Sequence, residues 1–67
     1  MTVGEIIKYW RLEFNMTQVE FSKLAGVTQQ TLSRWESDIH IPTIVECVRL
    51  ARALRLSLDE MFEDLKL

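Results

Sequence analysis

Gln29, Gln30, Ser33 and Arg34, gathered within six consecutive positions, are the residues of this sequence best suited to recognition chemistry. A glutamine amide presents a donor beside an acceptor, which matches the N6 and N7 edge of adenine in a DNA major groove. An arginine presents paired donors that match O6 and N7 of guanine. Setting Gln29 to zero and advancing about 100° per residue along a helix, the four fall between 0° and about 140°. Leu32, Trp35 and Glu36 then fall at about 300°, 240° and 340°. One side packs and the other is polar. On an arbitrary helix such a polar side is merely solvated, but here the segment follows a glycine turn and carries an inward Leu-x-x-Trp-Glu pattern.

The elements that must position this face are marked by helix-start signals. Thr17-Gln18 and Thr28-Gln29 each place a hydroxyl where it can accept a hydrogen bond from a first-turn N–H. Gly26 stands between them, where the chain must stop and reverse. The second helix is expected over Gln18–Ala25, with Phe21, Ser22 and Ala25 inward and Glu20 and Lys23 outward. Small Ser22 and Ala25 permit a close, steep crossing. The third helix begins at Gln29 and ends before the loop 37–42, because Pro42 cannot sit inside a helix.

A first helix is expected over residues 3–14, with Val3, Ile6, Ile7, Trp10 and Phe14 as its apolar stripe and Arg11 on the flank. Thr2 with Glu5 forms its capping box and Asn15 its terminator, after which Met16 packs inward. Thr43 with Glu46 opens a fourth helix, whose stripe is Ile44, Cys47, Val48, Ala51 and Leu54, with Arg49 and Arg52 outward. Ser57 with Glu60 opens a fifth, with Leu58, Met61, Phe62 and Leu65 as its apolar face. No segment alternates as a strand does. The expectation is an all-α, compact five-helix fold, with residues 1–67 as a single domain.

With 67 residues, 48% of them hydrophobic and 27% charged, the chain has the composition of a small globular domain. No apolar run approaches membrane-spanning length and no secretory leader is recognisable, so a cytoplasmic location is expected, with no membrane partner. Cys47 is the single cysteine and reads as core. His40 is the single histidine and reads as a loop residue placed beside phosphate when protonated. Neither catalytic residues nor a metal site can be assembled from these groups, and Gly4 and Gly26 do not form a phosphate loop. An enzyme, a cofactor and a small-molecule substrate are therefore not expected.

The net charge of −2 runs against a nucleic-acid partner. Its distribution moderates this. Asp59, Glu60, Glu63 and Asp64 crowd the carboxyl end against Lys66 alone, whereas residues 1–56 carry seven basic and six acidic groups.

Thr17-Gln18-x-x-Phe-Ser-x-x-Ala-Gly-Val-Thr-Gln-Gln-x-Leu-Ser-Arg-Trp-Glu, followed by Pro42-Thr43, Leu50-Ala51-x-Ala-Leu54 and Ser57-Leu-Asp-Glu-Met-Phe62, resembles the lambda-repressor/Cro-type (XRE) helix-turn-helix domain. The likeness spans residues 3–62, and the Thr-Gln-Gln opening of helix three is similar to that of the phage 434 repressor. The resemblance implies a sequence-specific transcriptional regulator of the repressor kind, bound to double-stranded DNA with helix three in the major groove. It implies base contacts from Gln29, Gln30, Ser33 and Arg34. It implies backbone contacts from Thr17, Gln18, Thr28, Thr31, His40 and Thr43, and a structural ion pair between Arg11 and Glu36.

Two departures from the family pattern stand out. Asp38, Ile39, His40 and Ile41 occupy a loop where lysines or arginines are common, and Arg55 takes a position commonly glycine. Ile39, Ile41, Val45, Leu65 and Leu67 are apolar where exposure is expected, which points to a homodimer through the amino end of helix four and helix five. The rival reading is a protein-interaction module, an anti-repressor or antitoxin-like adaptor on the same fold.

Overall fold

Every helix in the computed structural model, which describes residues 1–66, begins at a hydroxyl. The helices are α1 (Val3–Glu13), α2 (Gln18–Ala25), α3 (Gln29–Glu36), α4 (Ile44–Ala53) and α5 (Leu58–Met61). Their N-caps are Thr2, Thr17, Thr28, Thr43 and Ser57, each accepting a bond from the backbone N–H three residues on at 3.0–3.2 Å. In four of them a glutamate returns the bond to the cap's own N–H. α3 is the exception, with Thr31 where the others carry glutamate.

The ends of α1 to α4 share a device as well. Asn15, Gly26, Asp38 and Arg55 take left-handed conformations, with φ of 55°, 75°, 59° and 57°. The next residue then donates back to a carbonyl five residues earlier: Met16 to Arg11, Val27 to Ser22, Ile39 to Arg34 and Leu56 to Ala51, at 2.9–3.1 Å. Such an end is accompanied by an apolar contact from the residue after the left-handed one. Met16, Val27 and Leu56 make it, packing on the core. Ile39 does not, and remains 67% exposed.

The core is built from Ile6, Ile7, Phe21, Leu32, Trp35, Leu50, Leu54 and Met61, with Ala25 and Ala51 filling between larger groups. α3 packs on both α1 and α2, and α4 packs on α2 and α5. Gly4 sets the closeness of α1 to the end of α3, since a Cβ there would lie 2.4 Å from the Trp35 carbonyl oxygen and 2.7 Å from Asp38 Oδ1. At the opposite flank Trp10 Nε1 donates to the Met61 carbonyl at 2.9 Å, which fastens α1 to α5.

Two apolar assignments change. Phe14 lies beyond the last turn of α1, as its C-cap, and is 45% exposed, because the chain has begun to turn away there. Ile44 is 71% exposed in the first turn of α4, whose core side is Leu50, Ala51 and Leu54. Leu67 lies outside the described residues, and Leu65 is half-buried against the core.

Candidate nucleic-acid interface

The polar face of α3 is held from behind by a buried ionic cluster. Arg11, 8% exposed, donates from Nε to Glu36 Oε2 at 2.7 Å and from Nη2 to Glu36 Oε1 at 3.0 Å. Its third donor, Nη1, reaches the Met16 carbonyl at 2.8 Å. Glu36 Oε1 also accepts from Gln18 Nε2 at 3.2 Å. One carboxylate therefore ties α1, the first residue of α2 and the last turn of α3 together. Paired donors on a planar guanidinium fix angle as well as distance. Leu32 and Trp35 complete the attachment through their burial.

On the opposite side Gln29, Gln30 and Arg34 are exposed and Ser33 is half-buried. None of these four side chains bonds to another of the described residues, so their donors and acceptors stay open to a ligand. At the amino end of α3 the Thr28 hydroxyl accepts from the Thr31 N–H and donates to Thr31 Oγ1 at 2.8 Å. Thr28 is thereby committed, and Thr31 keeps a free hydroxyl proton. With no acidic residue in its first turn, α3 presents the positive end of its dipole without a competing carboxylate.

α2 is different. The Glu20 carboxyl is held below its ordinary range by the Thr17 N–H and then the Thr17 hydroxyl, so an anion already caps that helix. Thr17 is exposed and Gln18 half-buried beside it. His40 is exposed in the loop, with its N–H donating to the Arg34 carbonyl at 3.3 Å. Thr43 is exposed and its hydroxyl serves the first turn of α4. The structure thus gathers Gln29, Gln30, Thr31, Ser33 and Arg34 on one helix, with Gln18 joined to it through Glu36 and Thr17, the N-cap of α2, beside Gln18. His40 and Thr43 belong to the loop and to α4.

Asp38 is the residue that sequence reasoning missed. Its Oδ1 accepts from the Gly4 N–H at 2.9 Å and its Oδ2 from the Thr2 hydroxyl at 2.7 Å, so it clasps the amino end of α1. This carboxylate, which looked like a charge misplaced in a loop facing phosphate, is occupied by its own fold. The available signal was the tolerance of aspartate for the left-handed region at a helix exit.

Elsewhere little chemistry is assembled. Cys47 is half-buried, and burial, with the nearby Glu46 carboxylate second, pushes its thiol above the ordinary range. Among the described residues no group of three or more His, Cys, Asp or Glu converges to hold a metal. Among the described residues no helix is long and apolar enough to cross a membrane.

A compact all-α fold with a two-helix unit and an open polar second helix defines a helix-turn-helix protein. The helix-turn-helix family model matches residues 7–61, and the chain belongs to that family, of the XRE type. A protein described as an HTH-type transcriptional regulator from Methanothermobacter thermautotrophicus is 34% identical over 58 residues, covering 85% of this chain and 84% of that one. The cryptic phage CTXphi transcriptional repressor RstR of Vibrio cholerae is 30% identical over 61 residues, covering 91% of this chain and 54% of RstR. Among solved structures, the P22 c2 repressor bound to synthetic operator 9T has a TM-score of 0.81 at 28% identity, covering 91% of this chain and 92% of that one. The biofilm regulator SinR in complex with DNA has a TM-score of 0.83 at 26% identity, covering 91% and 98%.

Proposed function

We propose that this chain is a sequence-specific DNA-binding transcriptional regulator, of the repressor kind, that reads the major groove with α3 as a homodimer in the cytoplasm. The observation that carries the reading is the contrast between α3 and the other four helices: it alone opens without a glutamate, and its outer face holds Gln29, Gln30 and Arg34 with no partner among the described residues. A helix with an open positive end and unspent planar donors is suited to phosphates and base edges together. In this reading Gln29, Gln30, Ser33 and Arg34 touch bases. Thr31, Thr17, Gln18, Thr28, His40 and Thr43 touch the backbone, Thr28 through its main chain because its hydroxyl is spent. The relatives named as regulators and the neighbours solved on DNA support the same assignment.

Dimerisation is supported by exposed apolar side chains at one edge: Ile39, Ile41, Ile44 and Val45 are all more than half exposed. Two copies would place two α3 helices on half-sites about one helical turn apart. The same edge, with the net charge of −2, also favours an adaptor that binds protein instead of DNA. Selection from a pool of random duplex DNA separates the two. A regulator enriches a site with two related halves, and an adaptor enriches nothing.

A further inference from the structure

Arg49, Arg52 and Arg55 are all exposed at the carboxyl end of α4 and just past it. Setting Ile44 to zero at about 100° per residue, Leu50, Ala51 and Leu54 mark a buried sector of about 240° to 340°. Val45, Arg49 and Arg52 lie opposite, at about 80° to 140°. The outer strip is thus apolar at its amino end, where Val45 is 57% exposed, with Ile41 and Ile44 exposed beside it at 75% and 71%, and cationic toward its carboxyl end.

The ion pair found among the described residues is Arg11 with Glu36, so none of these three arginines is paired with another described residue. Asp59 and Glu63 are likewise exposed and without an ion-pair partner among the described residues, although Asp59 follows Arg55 by only four residues. The other acids nearby are placed differently: Glu60 holds the Ser57 N–H, and Asp64 accepts at its backbone carbonyl from the Met1 amino group at 3.1 Å.

We infer that the two unpaired sets meet across a two-fold axis, the Arg49–Arg52–Arg55 ridge of one copy taking the Asp59 and Glu63 carboxylates of a second copy. The inference rests on the homodimer reading and says what fixes its register. A two-fold interface must be self-complementary, each patch meeting its counterpart in both directions. This chain exposes both signs of charge, together with the apolar strip that runs into its arginine ridge, the components of an apolar centre with a charged rim. An acidic segment of some other protein would satisfy the ridge and leave Asp59 and Glu63 without a role. Rim charges of opposite sign fix orientation more than they add affinity.

Sedimentation equilibrium of the full chain, without DNA, tests this. With several exposed pairs per interface, raising salt from about 0.05 to 0.5 M should raise the dimer Kd about tenfold. The R49E/R52E variant should weaken the dimer by at least as much, and so should D59K/E63K. All four changes in one chain should restore it, which a loss of folding would not, and far-UV circular dichroism checks each variant. A dimer whose Kd ignores both salt and charge reversal overturns the pairing and leaves the homodimer standing. A chain that stays monomeric at millimolar concentration overturns both. If R49E/R52E leaves the dimer intact but abolishes retention of an acidic amphipathic peptide, the ridge serves another protein, and the pairing is again overturned.

Discussion

Arg11 and Glu36 form a two-pronged ion pair, with contacts of 2.7 and 3.0 Å, between the first helix and the last turn of the third. The side chains are 10% and 4% exposed, so water is a poor substitute for either partner. Arg11→Met should therefore cost about 3–5 kcal/mol of folding stability, because it strands the Glu36 charge. Urea unfolding followed by tryptophan fluorescence measures this. A loss below about 1 kcal/mol would put the pair in the class of surface ion pairs.

At Gly4 the backbone of α1 lies close against the exit of α3. A methyl there meets a backbone carbonyl at 2.4 Å, which cannot swing aside as a side chain can. Gly4→Ala should destabilise by about 1–3 kcal/mol despite alanine's better helix propensity. Thermal melts of the two proteins check the sign. A rise in melting temperature would mean that α1 can shift outward freely.

Glu60, like Glu20, is held below the ordinary carboxyl range, by the Ser57 N–H and then the Ser57 hydroxyl. A carboxyl depressed in the folded state contributes stability that is present above its unfolded pKa and is lost as pH falls through the folded value. Glu60→Gln should therefore lower stability at neutral pH and reduce the loss on acidification, since the capping geometry survives without the charge. Unfolding curves at neutral pH and through the acid range measure it. Unchanged pH dependence would show that Glu60 contributes nothing through its charge.

The start of every helix was legible in the sequence because a capping hydroxyl, followed in all but α3 by glutamate three residues later, is a local device, complete within one turn. The polar face of α3 was legible for a similar reason, since Gln29, Gln30, Ser33 and Arg34 need only a helical period to share a side. Asp38 was not, because its partners Thr2 and Gly4 are more than thirty residues away in sequence and the bond exists only once α1 and α3 have packed. Ile44 failed for a related reason. Periodicity tells which side of a helix is apolar, but not how far along that side the neighbouring helices extend. Arg55 was flagged as standing where glycine is common, and it does take the left-handed conformation, with φ of 57°. The role of Arg11 toward Glu36 came through the family resemblance, with their flanking positions as the only local hint.

In the proposed reading Gln29 and Gln30 touch bases from a helix whose attachment leaves them free. The most direct measurement of that contact is a binding titration of the wild-type chain and of Gln30→Ala on a selected duplex and on single-base variants of it. The wild type should discriminate by about 1–3 kcal/mol at the base pair that Gln30 contacts, and the alanine variant should lose that discrimination there while keeping it elsewhere. Equal affinity and unchanged preference in the two proteins would contradict the account.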